Sequence, residues 1–108
     1  MKTFDYHSPK EIKEASKLAS SKSVFLAGGM TTIPSMKLGL ATYKDVINLK
    51  GIKKLSGIKV SGKVVKIGAI TQHSEVAKSK EIKKSIPSLA ALAEGIGDPQ
   101  VRNRGTIG

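Results

Sequence analysis

The chain has 108 residues and no cysteine, so it is one small domain or a piece of a larger one. The absence of cysteine excludes disulfide bonds, thiolate catalysis and Cys-ligated zinc or iron–sulfur sites within this sequence. No apolar stretch approaches the roughly 20 residues that span a bilayer, and residues 1–9 carry no signal-peptide core. We therefore expect a soluble cytoplasmic protein that does not enter a membrane.

The formal net charge is +11, from 19 basic and 8 acidic residues. Only Arg102 and Arg104 are arginines, and only four residues are aromatic. Specific nucleic-acid binding usually relies on arginine forks and stacking aromatic rings. We therefore expect a solvated lysine-rich surface and no specific nucleic-acid partner, with a lysine-rich nucleic-acid module as the less favoured alternative.

The first half of the chain alternates strand and helix patterns. A short strand at 2–6 precedes a helix, whose start is predicted from a capping box of Ser8 and Glu11 around Pro9. One face of that helix is apolar, through Ile12, Ala15, Leu18 and Ala19. The pattern then predicts, in order, a strand at 23–26, a helix at about 33–38 and a strand at 45–49.

The second half predicts a hairpin followed by helices. A single helical turn at 52–55 leads into strands around 58–60 and 64–69, with a turn at Ser61-Gly62. We expect Thr71 to cap a helix at about 72–78, Ser79 or Ser85 to cap the next, and Gly95 or Gly97 to end a buried helix that runs from Leu89. This order predicts an α+β fold with two small lobes joined near residues 50–57.

The stretch 24–40 is the most informative segment of the first part. A buried strand runs into Ala27, Gly28 and Gly29, and Pro34 lies where a helix would start. Glycines permit close approach of a ligand, and free N–H groups at such a turn favour an anion. A turn whose glycines only relieve backbone strain remains the alternative.

No catalytic side-chain constellation or metal site can be identified. His7 and His73 are far apart in sequence and are interpreted as surface or packing residues. Any catalysis would therefore depend on a bound cofactor. In the second informative stretch, 94–108, Arg102 and Arg104 either pair with phosphate or brace the loop against carboxylates, while Thr106 and the N–H of Gly108 are candidate anion contacts.

Three motifs together resemble one family. They are Ala27-Gly28-Gly29-Met30-Thr31-Thr32-Ile33-Pro34 with Met36-Lys37-Leu38, Ile67-Gly68-Ala69-Ile70-Thr71-Gln72-His73, and Gly97-Asp98-Pro99-Gln100-Val101-Arg102-Asn103-Arg104-Gly105-Thr106-Ile107-Gly108. The chain resembles the FAD (medium) subunit of molybdenum hydroxylases of the carbon monoxide dehydrogenase, xanthine dehydrogenase and 4-hydroxybenzoyl-CoA reductase type. The resemblance covers nearly the whole chain.

The resemblance implies the N-terminal part of a vanillyl-alcohol-oxidase-like (PCMH-type) FAD-binding fold. Residues 1–55 would form an N-terminal α+β lobe, residues 56–108 would form the start of a second α+β lobe, and FAD would lie extended between them. The implied FAD contacts are Leu26, Ala27, Gly28, Gly29, Met30, Thr31, Thr32 and Ile33 at the pyrophosphate, with Ile96, Gly97, Thr106 and Gly108 at the second motif. No residue of the chain is implied in catalysis or metal binding.

The resemblance also implies a division of labour among subunits. Substrate is oxidised at molybdenum in a large molybdopterin subunit, and electrons pass through a small iron–sulfur subunit to FAD, which reduces NAD or another acceptor. Family members continue beyond the position of Gly108, so we expect this chain alone to be inactive and to hold FAD weakly. A non-catalytic structural fragment of the same fold is the alternative.

Overall fold

The chain forms two units, Met1–Lys53 and Lys54–Gly108, in a computed structural model that describes all 108 residues. The first unit combines a parallel sheet with helices, and the second combines an antiparallel hairpin with helices. The α+β class predicted from the sequence is therefore confirmed.

The first unit is built on a three-stranded parallel sheet. Its strands are β1 (Asp5–His7), β2 (Ser23–Leu26) and β3 (Asp45–Asn48), in the spatial order β1-β3-β2. Parallel neighbours need a crossover connection. Helix α1 (Ile12–Leu18) lies between β1 and β2 in sequence, and α2 (Thr32–Lys37) lies between β2 and β3.

The core of the first unit lies at the central strand. Val46 and Ile47 of β3 are buried, together with Ala15 of α1, Met36 of α2 and Ile52. The side chains of two adjacent strands also meet, because Nε2 of His7 lies 2.9 Å from Oδ1 of Asp45.

The capping box predicted at Ser8 and Glu11 is wrong. Helix α1 begins at Ile12, and its N-cap Glu11 makes no side-chain capping hydrogen bond. Pro9 is buried, and the chain bends at Lys10 before the helix begins. A Cβ atom at Gly51 would lie 3.1 Å from the carbonyl oxygen of Pro9, so packing against the segment after β3 delays the start of the helix.

The second unit begins with a hairpin and continues with four helices. A 3₁₀ turn (Lys53–Leu55) precedes β4 (Ile58–Ser61) and β5 (Val64–Ile67), which pair antiparallel as predicted. The helices are α3 (His73–Lys78), α4 (Lys80–Ser85), α5 (Pro87–Glu94) and α6 (Pro99–Arg102). The buried core consists of Val76, Ile82, Ala90 and Ala93, with the hairpin residues Ile58, Val65 and Ile67 packed against it.

Ser79, one of the two serines predicted as the cap, is the N-cap of helix α4. The Ser79 hydroxyl accepts a hydrogen bond from the N–H of Ile82 at 3.2 Å. Hydrogen bonds from its own backbone amide and from Ser79 hold the pKa of Glu81 below its usual range. This capped turn anchors Ile82, one of the core residues of the unit.

Two other helix predictions are wrong. Thr71 does not cap α3, whose N-cap is Gln72, because the Thr71 hydroxyl is bound to Gly57. Helix α5 is not buried all round, since the side chain of Leu92 is 68% exposed. Its buried face consists of Ala90 and Ala93, and it packs against α3 and α4.

Candidate functional site

Residues 27–32, here called the glycine loop, connect β2 to α2. Gly29 has φ +77, in the left-handed region that favours glycine. A Cβ atom at Gly29 would lie 2.6 Å from Cδ1 of Ile33 and 3.3 Å from Cδ1 of Leu26. The backbone angle therefore favours glycine at this position, and any added Cβ atom would also force the end of the Ile33 side chain to shift.

The backbone donors of the glycine loop have no partner within the chain. The carbonyls of Gly29 and Thr31 accept hydrogen bonds from Ile33 and Ser35 of α2, at 3.0 and 3.1 Å. The N–H groups of residues 27–32 find no acceptor. Because backbone N–H groups are obligatory hydrogen-bonding groups, this run of donors is available to an oxygen-rich anion.

The residues of the glycine loop and its neighbours are partly half-buried and partly exposed. Leu26, Ala27 and Gly28 are half-buried, as are Thr32 and Ile33, whereas Met30 and Thr31 are exposed. No acidic residue occurs between positions 15 and 44 in the sequence. Nothing charged in this segment therefore opposes a phosphate at the loop.

The second predicted motif is held by backbone pairing with residues 69–73. Gln72 and Thr106 form an isolated antiparallel bridge, and the N–H of His73 donates to the carbonyl of Gly105 at 3.0 Å. The N–H of Ile107 donates to Thr71 at 2.9 Å. The main chain of residues 105–107 is thus fixed by the motif that precedes α3 in sequence.

The N–H of Gly108 is not the free donor that the sequence predicted. It donates to the carbonyl of Ala69 at 2.8 Å, as part of the same pairing. A Cβ atom at Gly108 would lie 2.6 Å from that carbonyl oxygen, so glycine is needed for the close approach of the two segments. Thr106 is half-buried, and its N–H has no acceptor within the chain.

Arg102 braces the loop that contains Ile96 and Gly97. One guanidinium nitrogen of Arg102 donates to the carbonyls of both residues, at 3.0 and 3.1 Å. Arg102 was expected either to pair with phosphate or to brace the loop against carboxylates. In the structure it braces the loop, but its partners are backbone carbonyls rather than carboxylates. Gly97 has φ +53, and Arg104 is exposed.

Helix α6 was missed in the sequence, although its signal is present. The Asp98 carboxylate accepts a hydrogen bond from the N–H of Val101 at 2.9 Å, and Pro99 is the first helical residue. An N-cap aspartate followed by proline is a standard helix start. This short helix places Arg102 where it reaches the carbonyls of Ile96 and Gly97.

Thr71 is the residue near the second motif that sequence reasoning misplaced. It is fully buried, and its hydroxyl both accepts from the N–H of Gly57, at 3.0 Å, and lies 3.3 Å from the carbonyl of Gly57. Its own carbonyl accepts from Ile107. Because the partner is 14 residues away, no local sequence pattern identifies this role.

The side chains offer no reacting group of their own. No group of three or more His, Cys, Asp or Glu residues is arranged to hold a metal ion. His7 is paired with Asp45 in the first unit, whereas His73 lies in the second unit beside Gly105. None of the helices has the length and apolar composition that a membrane span requires.

The chemical groups that remain available are the unpaired backbone N–H groups of the glycine loop, which suit a phosphate-bearing cofactor.

Comparison with known proteins defines the class of protein. Residues 2–108 match the family described as the FAD-binding domain in molybdopterin dehydrogenase, and the chain belongs to this family. FAD is therefore its cofactor.

Individual relatives place the chain among the medium subunits. It is 43% identical to the carbon monoxide dehydrogenase medium chain of Hydrogenophaga pseudoflava, covering 97% of this chain and 38% of that protein. It is 35% identical to the nicotine 6-hydroxylase medium subunit of Paenarthrobacter nicotinovorans, covering 95% and 37%. The structure of reconstituted CO dehydrogenase from Oligotropha carboxidovorans superposes with a TM-score of 0.96 at 38% identity, covering 99% and 38%. The chain thus spans less than two fifths of each of these proteins.

Proposed function

We propose that this chain is the N-terminal FAD-binding part of the flavin subunit of a molybdenum-containing oxidoreductase. The FAD would accept electrons from the iron–sulfur clusters of a small partner subunit and pass them to NAD or another acceptor. A large molybdopterin subunit would oxidise the substrate. The proposal keeps the cytoplasmic location expected from the sequence.

The observation that carries the proposal is the run of unpaired N–H groups at residues 27–32. A diphosphate presents several oxygen acceptors, and backbone amides around a glycine turn satisfy them without a charged side chain. Gly29 supplies a left-handed backbone conformation within this run of amides. The exposed hydroxyl of Thr31 and the half-buried hydroxyl of Thr32 would add two further donors.

The second motif would contribute through a fixed main chain. Arg102 donates to the carbonyls of Ile96 and Gly97, so the chain itself holds this loop in place. Thr106 would contribute its unpaired N–H and its hydroxyl, whereas Gly108 would contribute only close backbone approach. When bound, FAD supplies the redox chemistry, and the residues of this chain bind and orient it.

An NMR titration of the ¹⁵N-labelled chain with FAD tests the proposal, because it detects binding in the micromolar to millimolar range. The expected result is saturable shifts of the amides of residues 27–32. In the variant Gly29→Asp, bulk and negative charge in the loop should weaken FAD binding by at least about tenfold, or ~1.4 kcal/mol.

A matched control variant is Gly39→Asp. Gly39 has nearly the same backbone angle, φ +73, but no atom lies within 4 Å of an added Cβ. The two variants therefore carry the same new residue, charge and backbone strain. Equal loss of FAD affinity in both, or FAD-induced shifts that avoid residues 27–32, would exclude the glycine loop as the diphosphate site.

A further inference from the structure

A second concave site lies in the first unit, at the opposite edge of the parallel sheet from the glycine loop. We call it the lysine groove, and its volume is about 550 Å³. Its lining residues are Lys2, Thr3, Ser21, Lys22, Thr42, Tyr43 and Lys44. The family's FAD motifs include none of these residues, so the groove needs its own explanation.

The sheet topology brings the lysines together. In a parallel sheet all strands begin at the same edge, and Lys22 and Lys44 directly precede β2 and β3. Because Ser23 is in register with Asp45, the two lysines occupy neighbouring positions across the strand pair. Lys2 approaches the same edge from the segment before β1.

The main chain of this edge is already fixed. The N–H of Lys44 donates to the carbonyl of Lys22 at 2.8 Å, and the N–H of Asp5 donates to the carbonyl of Lys44 at 2.8 Å. The turn before β2 is held by the Ser20 hydroxyl, which accepts from the N–H of Lys22 at 3.1 Å. Two of the lysines therefore project from a rigid backbone, and a ligand would not have to order it.

The charges in the groove have no partner within the chain. Like charges at neighbouring strand positions repel, yet no carboxylate lines the groove. Asp45, the acidic residue next to Lys44, is hydrogen-bonded to His7, and Asp5, which begins β1 beside Asp45, forms no salt bridge with a lysine. Three lysines thus line one groove that no carboxylate lines, which leaves a site for an anion.

We propose that the lysine groove binds a compact polyphosphate. Lysine acts on phosphate as a point charge, whereas planar carboxylates are typically recognised by the arginine fork, which the groove lacks. The hydroxyls of Thr3, Ser21 and Thr42 add donors that suit phosphate oxygens. The site is distinct from the glycine loop, because the four residues of β2 separate the two edges by about 13 Å.

An NMR and calorimetric titration of the full 108-residue chain with inorganic tripolyphosphate tests the proposal. The tricarboxylate citrate serves as a polyanion without phosphate groups. Tripolyphosphate should shift the amides of residues 21–22 and 42–44, and it should bind at least about tenfold more tightly than citrate. Its affinity should fall as salt is added, since exposed ammonium groups are screened.

Variants with the same change in net charge distinguish binding at the lysine groove from general attraction of a polyanion to the positively charged protein. The double variant Lys22→Gln/Lys44→Gln should lower tripolyphosphate affinity by at least about tenfold. The control Lys13→Gln/Lys17→Gln removes the same charge from exposed positions of α1 and should change it less than about twofold. Equal effects of the two double variants, or citrate binding as tightly as tripolyphosphate, would overturn the proposal.

Tripolyphosphate binding at the lysine groove can also be tested independently of FAD binding at the glycine loop. The Gly29→Asp variant should leave the tripolyphosphate shifts at Lys22 and Lys44 intact, because its change lies at the other edge of the sheet. If tripolyphosphate shifts only the amides of residues 27–32 in the unsubstituted chain, it binds at the glycine loop, and the lysine groove is not a binding site.

Discussion

Replacement of Thr71 by valine removes one buried hydroxyl and leaves the shape of the side chain almost unchanged. In the structure this hydroxyl is the only partner of the N–H of Gly57, at 3.0 Å. The carbonyl of Gly57 keeps a second partner, since it also accepts from the N–H of Gly68 at 2.8 Å. One partly buried donor is therefore left without a partner. An unsatisfied donor costs about 1–3 kcal/mol when fully buried, so we expect a loss of about 1–2 kcal/mol here.

The conservative variant Thr71→Ser provides the control. Serine keeps the hydroxyl and loses one methyl group from a fully buried site, which costs about 1 kcal/mol. We therefore expect valine to destabilise the second unit by more than serine does. The reverse order would mean that methyl packing, rather than the hydrogen bond to Gly57, holds this segment.

The assay must report on the second unit, which contains no aromatic side chain, because Phe4, Tyr6, Phe25 and Tyr43 all lie in the first. Urea unfolding followed by NMR amide signals from the core of α3 and α4 meets this need. Hydrogen exchange at Ile107 adds a direct readout, since its N–H donates to Thr71. Exchange there should accelerate in the valine variant and remain close to the original rate in the serine variant.

Two further substitutions test the second unit. Gly68→Ala would place a Cβ atom against the carbonyl oxygen of Leu55, closer than van der Waals contact allows, so we expect the free energy of unfolding in urea to fall by about 1–3 kcal/mol or more. A loss below about 1 kcal/mol would show that the backbone of Leu55 moves to make room. Asp98→Ala removes the cap that accepts from Val101, so we expect α6 to fray at a cost of about 0.5–2 kcal/mol, seen as faster amide exchange at Val101. Unchanged exchange there would mean that α6 does not depend on its cap.

The elements with strong local patterns were predictable from the sequence. The hairpin at 58–67 follows from alternating residues around Ser61-Gly62, and Ser79 was identified as a helix cap from its type and position. The glycine loop was also identified, because its strand–glycine–helix order is a local signal. Its left-handed Gly29 agrees with that interpretation.

The features that depend on distant partners were not predictable. Thr71 has the composition of a helix cap, but a partner 14 residues earlier binds its hydroxyl. The free N–H expected at Gly108 is bound to Ala69, 39 positions earlier in the chain by residue number. Leu92 continues an apolar helical stripe, yet it is exposed, because the stripe does not reveal which face has neighbours.

The strand order of the first unit has a consequence for the synthesis of the protein. β1 and β2 never pair with each other, and each finds its only strand partner in β3. The nascent chain therefore contains no paired strand until residues 45–48 have left the ribosome, and both pairings become possible at once. Loop closure must precede this pairing. A substitution at the fully buried Ile47 of β3 would therefore weaken both strand pairings of the sheet rather than one.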